Sequence, residues 1–321
     1  MENVELRPLS LGELLDRTFS LYRNHFWVFV GIMAIPSCFA IPMNFFVFAK
    51  QGSPLAIGTP RAQAAVFSLP YLIFAIIFAL VYAIASGAAT HAVADAYLGR
   101  TPSVRESYER IRGRFWRLIG LVSNVGLRVL AIFLGVVLIA AFGGGLAGAA
   151  MAGAGRAADQ TTMVLIVGLI VVVAVLAGAT LATFIALRYA VAIPALLFEN
   201  LGALAAIRRS VRLTKGRRGH IFLAMLMTSI IGYVGVIVFQ GPFWFAAAFT
   251  ARTGHWSDWL NFAAAASGAV GGSLTGPLLM IILVLCYYDA RIRKEAFDLQ
   301  FMMASIDNPP PAPAPGAVSP A

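Results

Sequence analysis

Six stretches of the chain lose almost all their polar side chains for about twenty residues or more: about 26–49, 65–90, 118–141, 163–187, 221–248 and 261–288. A helix needs about 20 apolar residues to cross roughly 30 Å of hydrocarbon, so each stretch predicts a transmembrane helix. Pro36, Pro42, Pro70, Pro242 and Pro277 fall inside these runs. In lipid they predict kinks, because neighbouring helices and side chains can satisfy the backbone groups that proline frees. The first run starts near Phe26 and is long enough to span, so it is expected to remain as a helix and not to be cleaved as a signal peptide.

The segments ahead of the first, third and fifth runs carry a different pattern, in which apolar residues recur at helical spacing opposite charged ones. In the first, Ser10 and Glu13 have capping-box spacing, and Leu11, Leu14, Leu15, Phe19 and Tyr22 lie opposite Glu13, Asp16, Arg17 and Arg23. In the second, which opens at Thr101-Pro102-Ser103, Val104, Tyr108, Ile111 and Phe115 form the stripe. Arg105, Arg110, Arg112 and Arg114 fall largely off it. The third sets Leu201, Leu204, Ala205 and Val211 against Arg208, Arg209, Arg212 and Lys215. Basic amphipathic helices of this kind favour an anionic interface, which makes these eight cations candidate contacts for anionic lipid headgroups.

The predicted fold is therefore an all-α membrane protein: six transmembrane helices, with short amphipathic interfacial helices before the first, third and fifth. The same order reads as a weak repeat, an interfacial helix followed by a transmembrane hairpin, used three times. Residues 1–25 form the first interfacial segment and 26–305 the membrane domain. Residues 306–321, with Pro309-Pro310-Pro311, form a Pro/Ala-rich tail that cannot build a core.

Composition agrees: of 321 residues, 60% are hydrophobic and 12% charged, against about a quarter charged in soluble domains. The net charge of +10 matters less than its placement. Excluding Arg128, 19 Lys and Arg lie in the segments on one side of the six spans and 4 on the other. The positive-inside rule then places both termini in the cytoplasm. The two cysteines, Cys38 and Cys286, both fall inside apolar runs and read as buried small side chains, not as a disulfide pair.

Small residues recur every fourth position in three spans: Ala75, Ala79, Ala83 and Gly87; Ala174, Gly178, Ala182, Ala186 and Ala190; and Ala264, Gly268, Gly272 and Gly276. Such ladders let helix backbones approach closely, and a packing face is the plainer reading than a substrate groove. The second span continues its ladder with His91 and Asp95, either an ion relay or a helix end that has reached the headgroups. Arg128 is a candidate polar site with Asn124, one helical turn earlier. It lies near mid-membrane if the third span is 118–141, and at the interface if that span is 129–151.

No phosphate loop, no His-Glu-x-x-His pair and no Cys/His set at zinc spacing is present, and the four histidines are scattered. No catalytic, metal or cofactor-binding residue is assigned, and no enzyme is expected.

The opening run Leu6 to Arg17 (Leu-Arg-Pro-Leu-Ser-Leu-Gly-Glu-Leu-Leu-Asp-Arg), with Phe19 and Leu21-Tyr22-Arg23, resembles the bacterial glycerophosphoryl diester phosphodiesterase membrane-domain proteins. Ala96 to Arg100, Glu199 with Gly202 and Arg209-Ser210, and Tyr287 to Glu295 extend the likeness to nearly the whole chain except the tail. In some members this portion looks like an accessory to a soluble catalytic barrel using a His-Arg pair. No histidine here is followed by arginine, so the resemblance implies the membrane portion without the enzyme. It also implies a bacterial inner membrane. The expectation is a non-enzymatic polytopic protein that meets anionic lipid or a partner through its basic helices, with no nucleic acid. The alternative is a small transporter working around Arg128 and the His91/Asp95 pair.

Overall fold

The computed structural model describes residues 8–51, 68–153, 160–250 and 258–295. The Pro/Ala tail at 306–321 lies outside them. Among the described residues the secondary structure is helical throughout: α1 (Leu11–Asn24), α2 (Phe26–Gln51), α3 (Leu69–Tyr97), α4 (Val104–Ile111), α5 (Phe115–Gly153), α6 (Gln160–Tyr189), α7 (Ala192–Phe198), α8 (Ala203–Thr214), α9 (Arg218–Thr250) and α10 (Asp258–Glu295), with a 3-10 turn at Arg112–Arg114. Six stretches of this helix, within α2, α3, α4 to α5, α6 to α7, α9 and α10, are long and apolar enough to cross a membrane. The chain is thus a polytopic membrane protein by length and composition. The short helices α1, α4 and α8 precede the first, third and fifth spans, and α7 is an addition beyond the fourth apolar run, which ends near 187.

The amphipathic helices are packed into the bundle and do not stand apart from it. The capping box of α1 forms, with Ser10 N–H donating to Glu13 (2.8 Å) and Glu13 N–H to Ser10 (3.4 Å). Its inward face is Leu14, Thr18 and Leu21. Thr18 can be buried there because its hydroxyl donates to the Leu14 carbonyl one turn back (2.8 Å). The chain ahead of α1 is tied to the far end of α10, where Leu9 N–H donates to Asp289 (3.0 Å) and Arg293 donates to the Leu9 carbonyl (2.8 Å).

The prolines explain two further joints. Pro36 has no N–H to offer the carbonyl of Ile32, four residues earlier in α2. Tyr108 of α4 takes the vacancy, its hydroxyl donating to Ile32 at 2.9 Å. In α10, Pro277 offers no N–H to the Ser273 carbonyl, and the Tyr22 hydroxyl of α1 donates to the adjacent Leu274 carbonyl (2.6 Å). Of the short helices, α1 and α4 are thereby fastened beside a proline of a span.

The small-residue ladders are packing faces. A Cβ on Gly87 would lie 2.9 Å from Leu118 of α5, one on Gly178 2.5 Å from Val136, and one on Gly276 3.6 Å from Met33 of α2. Gly272 is looser, its nearest neighbour being Ser37 at 3.8 Å. The reading of both cysteines as buried holds for Cys286 alone, because Cys38 points outward from α2. The main core joins α1, α2, α3 and α10 around Leu14, Phe29, Ile32, Ala92 and Tyr287. The α5–α6 hairpin meets the rest of the molecule chiefly at the end bearing Leu118, Leu121 and Leu187. Beyond that end its outer leucines and valines are exposed.

Candidate functional site

Among the described residues, charge is concentrated at the end of the bundle that holds Leu9 and Glu295. Only Lys50 and Asp258 stand at the opposite end. Much of this charge is consumed internally. Asp95, 8% exposed, accepts two hydrogen bonds from Arg110 (3.0 and 2.8 Å), which also pairs with Glu106. Asp289, 3% exposed, is met by Arg293 (2.9 Å) and Arg217 (3.3 Å). Arg209 bridges two carboxylates from different parts of the chain: its Nε donates to both oxygens of Glu199 (2.9 and 2.7 Å), and a terminal nitrogen donates to Glu295 (2.7 Å). The bond to Glu295, with Glu199 adding to it and burial opposing, pushes the Arg209 guanidinium above its ordinary range. Tyr287 completes the cluster by donating to Glu199 (3.0 Å).

Beside this cluster lies a cavity of about 990 Å³, walled by α8, by Arg128 of α5, by Arg188 and Tyr189 at the end of α6, and by Glu199 and Leu201 of the α7–α8 link. Local sequence explains how the wall is held. Asn200 adopts a left-handed conformation (φ 51°) that asparagine tolerates, ending α7 and turning the chain toward α8. Its side chain accepts from Arg114 (3.3 Å) and Arg117 (2.9 Å). Ser210 of α8 donates to the Arg188 carbonyl (2.9 Å), one of the carbonyls that the end of α6 leaves unpaired. The buried face of α8 is Ala206, Ile207, Ser210, Leu213 and Thr214. The stripe read from sequence, Leu201, Leu204, Ala205 and Val211, faces the cavity instead.

Five arginines line this cavity: Arg128, Arg188, Arg208, Arg209 and Arg212. Arg209 is neutralised as above. Among the described residues, no carboxylate pairs with Arg188, Arg208 or Arg212, and the Nε of Arg188 is buried with no hydrogen-bond partner. Arg128 donates to the Tyr189 hydroxyl and lies 5.3 Å over the Tyr189 ring, so its polar partner among the described residues is neutral. Arg128 is level with the last turn of α6, where Arg188 also sits. Arg218, the first residue of α9, rests 5.0 Å over the ring of Phe184 in the same region.

The four residues proposed from sequence as one intramembrane polar site have separate partners or none among the described residues. Arg128 pairs with Tyr189 and Asp95 with Arg110. His91 is buried edge-on to Phe198 (5.9 Å), its Nε2 without a partner, and the Asn124 Oδ1 is likewise buried and unpartnered. Neither His91, Asp95 nor Asn124 lines the cavity. Of the eight cations proposed as lipid contacts, Arg208, Arg209 and Arg212 reach it. Arg110 and Arg209 are occupied by carboxylates and Arg114 by Asn200. Arg105 pairs with Glu109 (2.8 Å) on the exposed face of α4. Arg112 and Lys215 are exposed. Arg188 was missed in sequence because, at the end of an apolar run, it reads as an ordinary flank of a span. No three of His, Cys, Asp and Glu converge among the described residues. Comparison with known family models, with curated proteins and with solved structures finds no match to this chain.

Proposed function

We propose that this protein is a non-enzymatic component of a bacterial inner membrane whose basic end faces the cytoplasm and binds anionic lipid. The observation that carries the reading is the set of guanidinium groups at Arg188, Arg208 and Arg212, which no described carboxylate neutralises although paired arginines surround them. Grouped like charges repel unless anions approach, and an anionic leaflet supplies them at the depth where the spans end. Arginines and aromatic rings in one layer, as at Arg128, Arg188, Tyr189 and Arg218, are also what the headgroup region selects. On this reading Arg128 lies at the interface.

The same proposal includes membership of the phosphodiesterase membrane-domain group that the opening segment resembles, as the membrane portion only. That Arg128 alone of the four lines the cavity weighs against a transport path through all of them. The test is reconstitution in phosphatidylcholine bilayers with and without phosphatidylglycerol. The thermal midpoint of the protein should rise with the anionic fraction, and the gain should shrink at high salt. A midpoint indifferent to headgroup charge would remove the proposal.

A further inference from the structure

We infer that the cavity between α5, α6 and α8 is a stoichiometric site for one phospholipid with a terminal phosphate, a phosphomonoester headgroup. The inference rests on the anionic-lipid reading above and adds a place, a ligand class and a count. A diffuse basic surface attracts any anionic leaflet, whereas this is a concave volume of about 990 Å³, larger than a phosphate needs. Its walls have two characters. Arg208 and Arg212 are four residues apart on α8, so they share one face, and Leu204 continues the same face one turn earlier. Across the cavity stand Arg188 and Arg128.

Four cations without a carboxylate therefore border a space whose remaining lining includes Leu201, Leu204 and Val211. Guanidinium forks match phosphate oxygens in pairs, and the apolar part suits the glycerol backbone and the first methylenes of the acyl chains. A free phosphate would leave that apolar wall unused. A phosphomonoester carries about −1.5 to −2 near pH 7, judged by phosphorylated side chains, and a phosphodiester carries −1. The more highly charged headgroup compensates four cations better.

The experiment uses the full chain in phosphatidylcholine nanodiscs doped with phosphatidic acid or phosphatidylglycerol, with retained lipid counted by native mass spectrometry. One phosphatidic acid per chain should be retained in preference to phosphatidylglycerol, and excess inorganic phosphate should not displace it. The double variant Arg208→Gln/Arg212→Gln, both exposed and outside the core, should weaken retention roughly tenfold or more. Arg100→Gln, in the α3–α4 link and outside the cavity lining, should leave it unchanged. Retention of phosphatidylglycerol as tight as that of phosphatidic acid would overturn the inference. So would displacement by inorganic phosphate, or a double variant that retains lipid like the parent. If the parent's thermal midpoint rises with anionic lipid while no lipid is retained in stoichiometric amount, the cavity site fails and the general reading stands. If the midpoint ignores headgroup charge, that reading fails with it.

Discussion

Arg209 shows how much a single side chain can organise when its surroundings are dry. It is one of three arginines on α8, and in sequence nothing separates it from Arg208 or Arg212. The fold separates them: all three line the cavity, but Arg209 holds Glu199 after α7 and Glu295 at the end of α10, while Arg208 and Arg212 meet no described carboxylate. Removing one member of a partly buried ionic cluster leaves the rest uncompensated, at a cost of about 3 kcal/mol. Arg209→Ala should therefore lower stability in a reversible unfolding assay by about that amount, and Arg208→Ala by less than about 0.5 kcal/mol. Arg209→Lys should recover only part of the loss, since an ammonium cannot bridge both carboxylates with the same fork. Equal effects at 208 and 209 would mean that the cluster contributes no stability. Helical periodicity alone could not have made this distinction, because the partners lie 10 and 86 residues away.

At the scale of elements, the six spans and three amphipathic helices were legible because lipid demands long apolar runs and amphipathic helices repeat at 3.6 residues. What those short helices pack against was not, because it depends on partners distant in sequence, such as the Ile32 carbonyl that Pro36 sets free for Tyr108. If the bond from Tyr108 to Ile32 exists because Pro36 leaves that carbonyl unpaired, Tyr108→Phe should cost about 1 kcal/mol. In a Pro36→Ala background, where residue 36 can donate to Ile32 within α2, the same change should cost much less. An undiminished cost would break the proposed link between the kink and α4. The small-residue ladders predict packing but not which glycine is tightest. Gly178→Ala should lower stability by about 1–3 kcal/mol, because a stiff valine at 136 blocks the new methyl. Gly272→Ala, with ordinary contact at Ser37, should be near neutral, within about 0.5 kcal/mol. Thermal unfolding of the two variants in the same bilayer decides between them; equal losses would mean that α5 and α6 are not held together at 136 and 178.

For the whole molecule, the repeated order of a short amphipathic helix and a long hairpin brings successive segments back to one end, so that basic loops distant in sequence become one surface. Leu9 and Asp289 meet there, as do Arg117 and Asn200, and Lys294 donates to the carbonyls of Arg212 and Lys215 (2.8 and 2.7 Å). The described start and end of the chain thus lie on the same side, as an even number of spans requires. The charge count predicts which side that is: with 19 Lys and Arg against 4, the basic end is retained in the cytoplasm. A reporter fused after Ala321 should be active only in its cytoplasmic form. Single cysteines at Ser53, Ala157 and Gly254, introduced with Cys38 and Cys286 replaced by alanine, should react with an impermeant thiol reagent from outside intact cells. Cysteines at Arg112 and Lys215 should react only after the membrane is opened. Because the lipid site and the charge asymmetry occupy the same end, one result bears on both. External labelling at Arg112 or Lys215 would invert the protein and turn its arginines to the outer face, away from the cytoplasmic anionic leaflet on which the lipid reading depends.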